Sequence, residues 1–194
     1  MRTARTLSRL GGRRKRTLSL PSLFFVTDPV RTPDPAAIAA RLPRGCGIIY
    51  RGFGAKDAPA TAKALQAIAR RRGLTLLIGA GHPYLPDVGV HLPERMATQA
   101  RRFKRPGRLV TAAAHDAAAI RRARLAGCDA VLVSPVFPSR SPSAGKPLGK
   151  LRFAALTRAA GLPVYALGGV TDKTARDLIG SGAAGVAAVD VFRT

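Results

Sequence analysis

The sequence predicts an α/β protein, a compact (β/α)8 TIM barrel whose last outer helix is missing. Three observations lead there. Short apolar runs alternate with Ala-rich stretches of helical periodicity, the pattern of parallel strands each followed by a helix. Eight such runs fit into 194 residues, which favours a closed barrel over an open sheet. Finally, Gly73, Gly127 and Gly182 each stand just before a buried run, a weak internal repeat of strand-helix units.

The strands are expected at Leu23–Thr27, Cys46–Tyr50, Leu74–Ile78, Val88–Leu92, Arg108–Ala112, Asp129–Val133, Pro163–Leu167 and Ala184–Val189, each a run of apolar and β-branched residues. Helices fit between them. Asp34–Arg41, Asp57–Arg72 and Asp116–Ala126 open on Asp, Thr171–Ser181 opens on Thr and Pro93–Lys104 on Pro, all residues that helix N-termini prefer. Lys150–Ala160 completes the set, and Gly127 and Gly161 stand where C-terminal glycines belong. Two places strain the count. Gly79-Ala-Gly-His-Pro-Tyr-Leu-Pro-Asp87 carries two prolines and leaves room for little helix. After the eighth strand the sequence stops at Thr194, so residues 1–22 or another subunit are expected to cover the final gap, or the seam is exposed.

Charge is the most unusual feature of the composition. Lys and Arg number 33 against 10 Asp and Glu, a net charge of +23, and Arg2, Arg5, Arg9, Arg13, Arg14, Lys15 and Arg16 crowd a start that holds no acid. Residues 1–22 are read as a disordered basic extension and 23–194 as the barrel. An anionic partner suits this balance. Nucleic acid is not expected, because aromatic content is only 5% and no recognition module accompanies the charge. No apolar run is long enough to span a bilayer and none forms a secretory core, so no membrane partner is expected and the chain reads as cytoplasmic. Cys46 and Cys128 flank apolar runs outside any spaced pair and read as buried free thiols.

Barrels of this kind work at the C-terminal ends of their strands, often with a phosphate site after strands seven and eight. Gly168-Gly169-Val170, Val189 and Asp190 stand there, although a carboxylate at Asp190 opposes an anion. Gly-Gly also serves simply to turn a chain. The long loop after strand six holds Ser139, Arg140, Ser141, Ser143 and Lys146, hydroxyls and cations that suit a phosphate or pyrophosphate. A solvated Ser/Pro/Gly loop is the plainer alternative.

At these residues the sequence resembles the thiamine phosphate synthases and their relative, the thiazole tautomerase. The likeness runs from Leu23 to Phe192 through Phe25-Val-Thr-Asp28, Gly89-Val-His-Leu92, His115, Gly127-Cys-Asp129-Ala-Val, Pro135-Val-Phe-Pro-Ser139, Ser141, Pro147-Leu-Gly149, Pro163-Val-Tyr-Ala-Leu-Gly168-Gly169-Val170 and Gly182-Ala-Ala-Gly-Val-Ala. The resemblance implies a transferase that joins a hydroxymethylpyrimidine pyrophosphate to a thiazole phosphate and releases pyrophosphate with magnesium's help. It implies that Ser139, Ser141, Gly168, Gly169 and the strand-eight pair Val189 and Asp190 hold the thiazole phosphate, that Arg51 contacts pyrophosphate, and that the protein self-associates.

Departures cluster on the other half of that site. The family's strand-two Gln and Lys fall on Ile49 and Phe53, its metal-binding acids on Ala80 and Met96, its loop lysine on Pro142, and the serine before His115 on Ala113. Magnesium takes oxygen ligands, which alanine and methionine lack, so no metal ligand is assigned. Asp28 and Glu94 are the acids left to take over, and Arg140 and Lys146 the cations that could neutralise pyrophosphate instead. The tautomerase histidine corresponds to Pro135, so an isomerase would need His82, His91 or His115. No general acid or base is assigned. The transferase is the first reading; a tautomerase-like isomerase and a non-catalytic binder of a phosphorylated thiazole are the alternatives.

Overall fold

Eight parallel strands hydrogen-bond in chain order and close on themselves, β8 pairing back onto β1. The computed structural model describes residues 20–79, 85–139, 141 and 145–190. Its strands are β1 Leu23–Val26, β2 Gly47–Tyr50, β3 Thr75–Gly79, β4 Gly89–Leu92, β5 Val110–Ala114, β6 Ala130–Val133, β7 Val164–Ala166 and β8 Gly185–Ala188. Every expected strand is present. The fifth begins at Val110 rather than Arg108 because Pro106-Gly107 turns the chain there, with the Arg108 N–H donating to Arg105 O and Gly107 at φ +72°.

The helices are α1 Pro35–Ala39, α2 Ala58–Arg72, α3 Ala100–Phe103, α4 Ala117–Leu125, α5 Gly149–Ala159 and α6 Asp172–Arg176. Asp34 and Asp116 cap α1 and α4 by accepting from the N–H groups of Ala37 and Ala119. The single helix expected over Pro93–Lys104 is instead a 3-10 segment, Glu94–Gln99, running into the short α3. Pro93 offers no side-chain acceptor to the first turn, which tightens accordingly. Likewise α6 stops at Arg176, and residues 177–181 continue in tight turns whose N–H groups reach three residues back. Among the described residues no helix lies between β3 and β4 or after β8, and none is long and apolar enough to cross a membrane.

Alternation along the strands splits the core in two. Phe24, Val26, Ile49, Leu77, Leu132, Tyr165, Ala187 and Val189 fill the barrel interior, while Phe25, Ile48, Ile78, Val131 and Val186 face the helices. Large inward rings are matched by inward glycines. A Cβ at Gly47 would stand 2.2 Å from the Phe24 ring, and one at Gly185 2.8 Å from Tyr165. Phe24 and Tyr165 meet edge to face, ring centroids 5.0 Å apart.

The N-terminal ends of the strands form a floor that Leu20, Pro21 and Ser22 close. Leu20 packs against the interior, the Tyr165 hydroxyl donates to Pro21 O at 2.6 Å, and Ser22 O accepts from the Val186 N–H at 3.1 Å. Leu20, Pro21 and Ser22 thus seat under the barrel rather than among the outer helices. Residues 1–19 lie outside the described residues, as do Ala80, His82, Arg140 and Ser143. Cys46 and Cys128 are buried and free, and burial pushes both thiols up to about 11.

Candidate functional site

The mouth, where the strands end, collects the polar residues. Arg51 follows β2, and its backbone N–H donates to Thr27 Oγ1 at 2.9 Å while its Nε donates to Thr27 O at 2.8 Å. Two bonds to one residue fix the guanidinium against the end of β1. Its Nη2 lies 3.6 Å from Asp28 Oδ2, and the Phe53 ring packs over it at 5.2 Å. Burial pulls the guanidinium below its ordinary pKa; Asp28 opposes this shift and the Arg31 charge adds to it. It remains a cation at neutral pH.

Arg31 is the residue that links this corner to the last strand. Its Nη2 pairs with Asp28 Oδ2 at 3.1 Å and its Nη1 with Asp190 Oδ2 at 3.2 Å. Asp28 also accepts from the N–H groups of Val30 and Arg31. Burial raises the Asp28 pKa, but the Arg31 hydrogen bonds and the Arg31 and Arg51 charges outweigh it and hold the carboxyl below its ordinary 3.8. A chain of alternating charges, Asp190, Arg31, Asp28 and Arg51, therefore runs along the rim from β8 to β2. It answers the objection that Asp190 repels an anion, because that carboxylate is partnered by a guanidinium. The sequence signal for Arg31 was its place three residues after Asp28, just beyond β1 and outside the family motifs.

Across the mouth, the loop after β6 lies on the turn after β7. Val136 N–H donates to Leu167 O and Phe137 N–H to Gly168 O, at 2.9 and 3.1 Å. Gly168 and Gly169 have φ of +88° and +65°, and a Cβ on Gly169 would stand 2.3 Å from Pro138 O. The glycine pair is thus required by close backbone approach whether or not a phosphate binds. Ser139 Oγ accepts from the Ser141 N–H at 3.3 Å, and Lys146 is exposed. Val189 packs within the interior cluster, 8% exposed. Thr171 and Thr174 close the start of α6 with a reciprocal capping box.

His91, on β4, faces the mouth from inside, with Nδ1 2.9 Å from Thr111 Oγ1 on β5. Burial, then the Arg51 charge, lowers its pKa to about 4. The unfolded state therefore binds the proton more tightly between about pH 4 and 6.5, and stability falls as pH drops through that window. The expected loss from pH 7 to 4 is on the order of 3 kcal/mol. His91→Asn, which cannot titrate, should flatten that part of the profile of urea midpoint against pH; an unchanged profile would refute the assignment.

The oxygen donors do not fit a magnesium ion at the positions the resemblance indicates. Met96 packs against the outer core, and the Glu94 carboxylate is engaged by His115 Nδ1 at 2.5 Å and Arg122 Nη2 at 2.8 Å. Asp28 is committed to two arginines and two backbone N–H groups. Ala80 lies outside the described residues. A further cavity of about 150 Å3 opens beside Arg51, bounded by Thr27, Asp28, Tyr50, Asp57 and Thr61. Burial and then the nearby Asp57 charge raise the Tyr50 pKa, with a hydrogen bond to Thr61 opposing them.

Comparison with known proteins adds identity to this geometry. Residues 23–192 match the family model described as thiamine monophosphate synthase. A thiamine-phosphate synthase of Roseiflexus sp. is 30% identical over 179 residues, 86% of this chain and 76% of that protein. The thiamine biosynthesis bifunctional protein ThiM/ThiE of Symbiobacterium thermophilum is 33% identical over 180 residues, 87% of this chain but only 36% of that longer protein. Among solved structures, thiamine phosphate pyrophosphorylase from Pyrococcus furiosus superposes with a TM-score of 0.70 over 90% of this chain and 92% of its own, at 17% identity, a likeness of fold.

Proposed function

The chain belongs to the thiamine monophosphate synthase family, and on that premise we propose that it is a transferase joining a hydroxymethylpyrimidine pyrophosphate to a thiazole phosphate. The observation that carries this reading is the Arg51 guanidinium, fixed at the mouth opposite the Ser139 and Gly169 loops. Arg51 takes the pyrophosphate, with auxiliary charge from Arg140 and Lys146. Ser139, Ser141, Gly168 and Gly169 hold the thiazole phosphate next to Val189 and Asp190.

The chemistry suits the groups present. The C–O bond of the pyrimidine methylene breaks and its electron pair leaves with pyrophosphate; the thiazole nitrogen lone pair then forms the new C–N bond. No proton changes hands, so no general acid or base is needed, only cations where the leaving charge develops. An isomerase, by contrast, needs a group that titrates near neutral pH. His91 lies far below it, His115 is paired with Glu94 outside the barrel interior, and His82 lies outside the described residues.

The test is formation of thiamine phosphate from the two substrates by purified protein, with magnesium and with a chelator, beside calorimetric binding of thiazole phosphate. Product formation that survives chelation is expected. Product only with magnesium would mean that the Glu94 or Asp28 carboxylate is released for a metal. No product from protein that still binds thiazole phosphate would replace the transferase with a binding protein.

A further inference from the structure

The sequence states how much positive charge the chain carries; the fold states where it goes. Because every strand runs the same way, the loops before the strands and the last turns of the helices all meet on the floor, opposite the mouth. Of the ten acids only Asp87, Asp129 and Asp177 lie on that side. Asp129 is 2% exposed and spent on Lys104 and the Val110 N–H, and Asp87 pairs with Arg70. The cations there are far more numerous. Helix α2 ends in Arg70-Arg71-Arg72, and the stretch from Arg101 to Arg108 supplies several more.

Two features separate this from ordinary helix-end charge. A cation in the last turn offsets the helix dipole, but the effect fades within that turn. Here α2 carries three, and Arg105 and Arg44 lie in connections beyond any helix. The side chains also spread across neighbouring loops, Arg44 beside Gly73 and Arg124 beside Gly161. Leu20, where the basic start joins the barrel, is packed on the same face. The mouth, by contrast, mixes its cations with Asp28, Asp34, Asp57, Glu94, Asp116, Asp172 and Asp190.

We propose that the barrel floor is a binding surface for the phosphodiester backbone of a nucleic-acid duplex, independent of the chemistry at the mouth and blind to sequence. Exposed arginines on a fixed scaffold pair with phosphates and release counterions. A single strand is disfavoured as the occupant because stacking platforms are absent: among the described residues the exposed large apolar side chains are Val30, Phe53, Leu125, Leu151 and Ile179, and the one aromatic, Phe53, sits at the mouth on Arg51. The expectation against nucleic acid came from composition, which does not place the charge.

The test is fluorescence anisotropy of the full chain with a labelled random-sequence DNA duplex across a salt series. Replacing Arg71, Arg102, Arg105 and Arg124 together by Gln is expected to weaken binding at least about tenfold and to lower the slope of log K against log salt by about 3. The same four positions as Lys keep the affinity, and Arg44→Gln with Arg158→Gln moves it in the same direction as the first set. Neutralising Lys56, Lys63, Arg95 and Lys150, away from the floor, changes it little. Equal losses from both sets would reduce the effect to net charge and overturn the proposal. So would affinity that depends only on residues 1–19, or capture by anionic phosphatidylserine vesicles without capture of the duplex.

Discussion

Arg51→Gln is expected to lower kcat/KM for thiamine phosphate formation by about 10²- to 10³-fold, the range seen when one preorganised donor to a developing anion is removed. Glutamine keeps most of the length and loses the charge. Arg51→Lys should recover little, because an ammonium cannot both donate to Thr27 O from the Nε position and present a planar fork to pyrophosphate. Stability should fall only modestly. The Asp28 pair is 3.6 Å long and partly exposed and Asp28 keeps its closer partner Arg31, so the main cost is the lost Nε bond to Thr27 O, about 1–3 kcal/mol. Steady-state kinetics and a thermal melt on the same samples separate the two effects. A Gln variant as active as the parent would remove Arg51 from the site, and one that melts early would make it structural.

The rim network explains why Arg51 should act as a fixed charge. Arg51 reaches Thr27 and Asp28 because β1 pairs with β2, whereas Arg31 reaches Asp190, at the opposite end of the sequence, only because β8 closes onto β1. That closure was legible in the sequence as eight apolar runs, since strand periodicity depends on residues next to one another. The contact from Arg31 to Asp190 was not, because no local pattern records a pairing across the whole chain. The same holds for Glu94. Its place near a metal position in the sequence suggested a ligand, whereas its partners His115 and Arg122 come from the connection after β5 and from α4. Short-range chemistry fared better. Asp34 and Asp116 cap the helices they precede, and the Pro106-Gly107 turn that delayed β5 had its residues in plain view. Gly168 and Gly169 were legible as special without revealing why: the crowding that demands them comes from Pro135, Phe137 and Pro138 in another loop.

That crowding makes Gly169→Ala the most damaging small substitution expected near the site. Two costs add. Alanine at φ +65° pays roughly 1–2 kcal/mol for the left-handed backbone. Its Cβ would also stand 2.3 Å from Pro138 O and 2.8 Å from Phe137 Cβ, and a backbone carbonyl cannot rotate away as a side chain would. Relief requires the loop after β6 to lift, breaking the Phe137 N–H bond to Gly168 O and shifting Pro138 and the Ser139 that follows it. The expected result is a loss of about 3 kcal/mol or more of stability, with affinity for thiazole phosphate in the surviving folded protein reduced at least about tenfold. Gly107→Ala supplies the control. It has a similar φ of +72° and nothing within 4 Å of the added Cβ, so it carries only the backbone cost, on the floor, with ligand affinity untouched. Equal melting shifts for the two variants would show that close approach between the loops contributes nothing. Unequal shifts with unchanged affinity would show that the loop after β6 does not hold the phosphate.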